Sequence, residues 1–128
     1  VTVSAFSADK ESVIWDALKS GGHVVLLRQT IAPGKNDPSE FQLGQCTTQR
    51  NLSDEGCDQA EKIGDRFREN GIHKTRIFSC QWCRCLETAI LLKLAPVTEL
   101  AALNSFFQHY ERRDSQTKML LEWLMIFF

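Results

Sequence analysis

Two arginines in this 128-residue chain are placed where a protein grips phosphate. Arg28 follows the apolar run Val24-Val25-Leu26-Leu27, and Arg84 opens a stretch with helical spacing. A guanidinium is a planar fork of donors that matches phosphate oxygens two at a time. A helix N-terminus adds free N–H groups and a dipole that favours an anion. In an open parallel sheet, ligands bind beyond the carboxyl ends of the strands. An arginine ending one strand and a second following another strand therefore face one crevice. By position, Thr30 and Asn36 line the same pocket and Arg50 adds positive charge. The competing role for Arg84 is a weakly stabilising ion pair with Glu87, one helical turn on.

The five cysteines, Cys46, Cys57, Cys80, Cys83 and Cys85, are the other chemically active group. An odd count leaves one thiol free or pairs it between chains. The cluster at 80, 83 and 85 lacks the second pair of Cys or His ligands that a zinc site needs, so no metal is expected. Two readings stay open. In an oxidising compartment Cys46 bonds to Cys83 or Cys85. Otherwise the thiols are small buried hydrophobes.

Composition narrows the class. A chain of this length is about one domain, here residues 1–128. Its 43% hydrophobic and 24% charged residues are ordinary for a globular protein. A net charge of -1 gives no global reason to expect nucleic acid or an anionic membrane as partner. No apolar run approaches the roughly 20 residues that span a bilayer. Val1 to Lys10 does not read as a secretory leader.

The elements that must position these residues follow from periodicity. Asp9 to Ser20 has apolar residues at Val13, Ile14, Ala17 and Leu18, a helical spacing that Gly21-Gly22 ends. Val24 to Leu27 is predicted as a short buried strand. Ala32 to Gln45 is rich in Pro, Gly, Asn and Asp and reads as a long loop. Ser53 caps a second helix whose inner face is Cys57, Ala60, Ile63, Gly64 and Phe67; Asn70-Gly71 stops it. Arg76 to Cys80 reads as a strand and Cys83 to Leu94 as a helix that Pro96 breaks. Val97 to Leu100 is a short strand. A last helix runs from about Asp114 past Trp123, with Met119, Leu120, Trp123 and Leu124 inward. Alternating helix and strand argues α/β with a parallel sheet.

Three segments taken together carry a resemblance. Leu26-Leu27-Arg28 ends the first strand. Cys46-Thr47-Thr48-Gln49-Arg50-Asn51-Leu52-Ser53-Asp54-Glu55-Gly56 leads into a helix. Ser79-Cys80-Gln81-Trp82-Cys83-Arg84-Cys85-Leu86-Glu87-Thr88-Ala89 carries an Arg-x-x-Glu-Thr-Ala motif after a strand. In this order they resemble the histidine phosphatase (phosphoglycerate-mutase-like) superfamily over roughly residues 20–125. The Trp-Cys-Arg-Cys form and Leu103-Asn104-Ser105-Phe106-Phe107 resemble a bacterial, exported subgroup, which implies a periplasmic or secreted protein. The implied fold is a three-layer α/β sandwich with a mostly parallel central sheet. The implied activity is phosphomonoester hydrolysis through a phosphohistidine. The implied ligand is phosphate or a phosphorylated small molecule, and no cofactor is implied.

The chain departs from the family pattern at the chemistry. Gln29 stands where the family has its nucleophilic histidine, and an amide nitrogen delocalised into its carbonyl only donates and accepts hydrogen bonds. Losing a covalent nucleophile costs on the order of a million-fold in a well-studied hydrolase. None of His23, His73 and His109 follows a late strand as the family's second histidine does. Glu111 takes the place of the family's acid, with Glu99 the alternative. The segment Trp123-Leu124-Met125-Ile126-Phe127-Phe128 is almost purely apolar, which predicts a C-terminally incomplete domain or self-association through that end. Two function classes result: a phosphatase disabled at Gln29, or a non-catalytic phosphate-binding relative.

Overall fold

A computed structural model describes residues 8–127. In chain order these form α1 (Ala8–Ser20), a 3-10 turn at Cys46–Thr48, α2 (Asp54–Glu69), β1 (Ile77–Ser79), α3 (Cys83–Leu91), β2 (Val97–Glu99), 3-10 turns at Ala101–Leu103 and Tyr110–Arg112, and α4 (Arg113–Phe127). β1 and β2 pair in parallel, Ile77 opposite Val97 and Ser79 opposite Glu99, with α3 as the crossover. Parallel neighbours need such a connection, because a tight hairpin joins only antiparallel strands.

The three-layer sandwich is not what forms. The described chain is mostly helical, with a sheet of only two strands. The predicted strand at Val24–Leu27 is absent. Its residues are exposed, Leu26 to 81%, and residues 22–29 enter no backbone–backbone hydrogen bond among the described residues. The physical reason is pairing. Val and Leu favour an extended backbone, but a strand exists only where a neighbour accepts and donates along it. β1 finds that neighbour in β2, and Val24–Leu27 finds none among the described residues.

The other elements keep close to their predicted bounds because their signals are local. Ser53 Oγ accepts the Gly56 N–H at 3.0 Å, and Asp54 and Glu55 occupy the positive end of α2. α2 ends at Glu69, and two residues on Gly71 turns the chain at φ 82°, which suits glycine. α3 stops three residues before the predicted Leu94. Lys93 turns into the left-handed region at φ 52°.

α2 sits at the centre of the packing. Ala60 is wholly buried. At Gly64 a Cβ would lie 2.1 Å from the Leu92 carbonyl oxygen, and at Gly56 the same distance from that of Ile31. These glycines let α2 approach the end of α3 and the 31–32 segment at backbone contact. α1 joins through Trp15, edge-on to Phe67 at 5.3 Å between ring centroids. α4 seats Trp123 against Phe78 at 4.5 Å between ring centroids, and Phe127 lies tilted beside both rings under the Arg76 guanidinium. Of its predicted inner face, Leu120, Trp123 and Leu124 are half-buried but Met119 is exposed, as are Met125 and Ile126. Phe128 and Val1–Ser7 lie outside the described residues. Among the described residues no helix is long and apolar enough to cross a membrane.

Candidate functional site

The best-built polar cluster gathers around Asp37, in the predicted long loop. Its Oδ1 accepts the Arg84 Nη1 at 2.9 Å and the Arg50 backbone N–H at 2.9 Å. Its Oδ2 accepts the Trp82 indole N–H at 3.1 Å. The ion pair is largely shielded, with 12% of the Arg84 side chain and 18% of the Asp37 side chain exposed. Phe41 stacks on the Trp82 ring, 5.2 Å between centroids and 14° from parallel, and so covers this network from the loop side. Burial pushes the Asp37 carboxyl pKa up. The Arg50 N–H, the Arg84 and Trp82 donors and the Arg84 charge outweigh it, and the net direction is down. Asp37 is therefore a carboxylate at neutral pH.

Arg50 supplies a second guanidinium. Its Nη1 donates to the Ala32 carbonyl, and its Nε is buried without a hydrogen-bond partner among the described residues. Burial lowers its pKa, the charges of Arg84 and Arg28 lower it further, and Asp37 opposes them. Arg28 is exposed and enters no ion pair or hydrogen bond among the described residues, yet its charge reaches Arg50. Both predicted arginines thus act on Arg50 through their charge. Gln29 is half-buried next to Arg28. Thr30 is buried, its N–H and Oγ1 both 3.2 Å from the Thr88 Oγ1 on α3. That contact ties the segment after Gln29 to the helix that carries Arg84. Asn36 is exposed beside Asp37.

The start of α3 is held from three sides. Gln49 Oε1 accepts the Cys83 N–H at 2.9 Å, and the Cys85 and Leu86 N–H groups both reach the Trp82 carbonyl. The Arg84 N–H is left as the donor in that turn without a partner among the described residues. Cys46 is bonded to Cys83 and Cys80 to Cys85, so the two disulfides bracket Arg84. The first of these is one of the two pairings open to Cys46 in the sequence. Cys57 is the free thiol.

Neither acid candidate forms a hydrogen bond or ion pair with this cluster among the described residues. Glu111 is exposed and bonded to His109 Nδ1 at 3.2 Å. Its own backbone N–H, then His109, lower its pKa, the opposite of what a proton donor at neutral pH needs. Glu99 is exposed at the end of β2. His23 bonds the Gly21 carbonyl, and His73 is exposed in the turn before β1.

Sequence reasoning missed Asp37, Trp82 and Gln49. Asp37 looked like one of several turn formers in the loop. Its partners are 13, 45 and 47 residues away, a distance that no local pattern encodes. Comparison with protein-family models, with curated proteins and with solved structures finds no match to this chain.

Proposed function

We propose that this chain binds the phosphoryl group of a phosphorylated small molecule among Arg28, Arg50 and Arg84, as a histidine-phosphatase-like protein that holds phosphate without hydrolysing it. The observation that carries this reading is the shielded Asp37 network, which holds the Arg84 guanidinium and the Arg50 backbone together; the charge of Arg28 acts on Arg50 as well. Three guanidinium charges against one carboxylate leave a formal excess of two positive charges. A phosphomonoester carries about −1.5 to −2 at pH 7 and matches that excess. Arg84 spends Nη1 on Asp37, which leaves Nη2, Nε and its own N–H for oxygens of a ligand.

Gln29 beside this site can orient a ligand by hydrogen bonding but cannot form a phosphoenzyme. Two disulfides at the site fit an oxidising compartment, in keeping with a periplasmic or secreted protein. The test is thermal unfolding with inorganic phosphate, together with turnover of p-nitrophenyl phosphate. Phosphate should raise the stability of the unchanged chain by mass action, about 2.7 kcal/mol at one hundred times Kd. Arg28→Ala should weaken that effect. No stabilisation at tens of millimolar phosphate would sink the site. Turnover by the unchanged chain would restore the hydrolase reading, and turnover by Gln29→His alone would locate the lost step at residue 29.

A further inference from the structure

Asp37 presents a conflict. A carboxylate within an anion site repels the ligand, yet this one is the most connected group there. One carboxyl group joins the Arg84 guanidinium, the Arg50 backbone and the Trp82 indole, and thereby three chain segments. Charge-assisted hydrogen bonds are about twice as strong as neutral ones, and a fork held at one nitrogen presents its others in a fixed direction. We infer that Asp37 is a positioning residue: it orients the Arg84 guanidinium in the geometry that grips a phosphoryl group. The inference rests on the phosphate-binding reading above and adds to it the residue on which the grip depends.

Two physical effects then predict opposite signs for one substitution. If charge alone mattered, Asp37→Asn would remove a repulsive negative charge and tighten phosphate binding. If Asp37 positions Arg84, the same change replaces a charge-assisted bond with a neutral one, and binding weakens. The inference requires weakening of about tenfold. It further requires that the effect pass through Arg84. In an Arg84→Ala background, Asp37→Asn should therefore change phosphate affinity by less than about twofold, since a coupled pair is not additive.

The experiment is calorimetric titration of inorganic phosphate into the oxidised chain and into Asp37→Asn, Arg84→Ala and the double variant, with folded fraction checked by circular dichroism. Weakening by Asp37→Asn that vanishes in the Arg84→Ala background supports the inference. Unchanged or tighter binding by Asp37→Asn overturns it and leaves the phosphate site standing. Weakening that persists in full beside Arg84→Ala also overturns it, as a general loss of structure would give that result. Absence of phosphate binding in the unchanged chain removes the site itself, and the positioning role with it.

Discussion

Removing the Cys46–Cys83 disulfide should cost this chain a large part of its stability. The bridge joins residues separated by 37 positions. In the loop-closure account, cross-linking a loop of that length removes roughly 13 cal/mol/K of entropy from the unfolded ensemble, or about 3.8 kcal/mol at 25 °C. The Cys80–Cys85 bridge spans only 5 positions, and the same relation gives about 2 kcal/mol. Domains are stable by about 5–15 kcal/mol in all, so the longer bridge alone is a sizeable fraction of that margin. The assay is urea unfolding of Cys46→Ser/Cys83→Ser and of Cys80→Ser/Cys85→Ser, each in a Cys57→Ser background so that no thiol can exchange. With a slope near 2 kcal/mol/M, the first pair should lower the midpoint by roughly 2 M and the second by roughly half as much. A reversed order, or a loss under about 1 kcal/mol for the first pair, would refute the reasoning. It would mean that the unfolded chain is already compact around residues 46–83, or that the bridge lies outside the cooperative unit.

Two further outcomes follow from packing and charge. Gly64→Ala places a Cβ 2.1 Å from the Leu92 carbonyl oxygen, so α2 and the end of α3 must separate. Thermal unfolding should show a loss of about 1–3 kcal/mol, although alanine is the better helix former by about 1 kcal/mol. The Asp37 carboxyl has its pKa lowered in the folded chain, so its contribution to stability is present above the unfolded value of about 3.9 and is lost as pH falls through the folded one. The stability gap between the unchanged chain and Asp37→Asn should therefore be widest above about pH 5 and should close below pH 4 in urea titrations; a gap independent of pH would contradict it.

What the sequence disclosed depends on how far each signal reaches. The Ser53 cap, the Asn70-Gly71 stop and the helical spacing of Cys57, Ala60, Ile63, Gly64 and Phe67 all act within a few residues, and α2 forms between them. The run Val24–Leu27 has equally clear local chemistry, but a strand is a relation between two segments. Its side chains specify an extended backbone without specifying a neighbour, so the run lies exposed and, among the described residues, unpaired. The site divides in the same way. Arg28 and Arg84 could be chosen because arginine next to a strand end or helix start has a recognisable use. Asp37 could not, because among Pro33, Gly34, Asn36 and Pro38 an aspartate reads as a turn former. Its role becomes visible only when Arg50, Trp82 and Arg84 converge on it.

The proposed grip on phosphate does not depend on a nucleophile at residue 29. Arg84 is fixed by Asp37, by the Gln49 cap on α3 and by two flanking disulfides. None of these contacts passes through Gln29. A histidine at that position would add a nucleophile, but the geometry of Arg50 and Arg84 does not depend on one. On the phosphate-binding proposal, substitutions at Asp37, Gln49 and Cys46 should therefore weaken phosphate affinity through Arg84, whereas Gln29→His should leave the contacts that hold Arg84 intact.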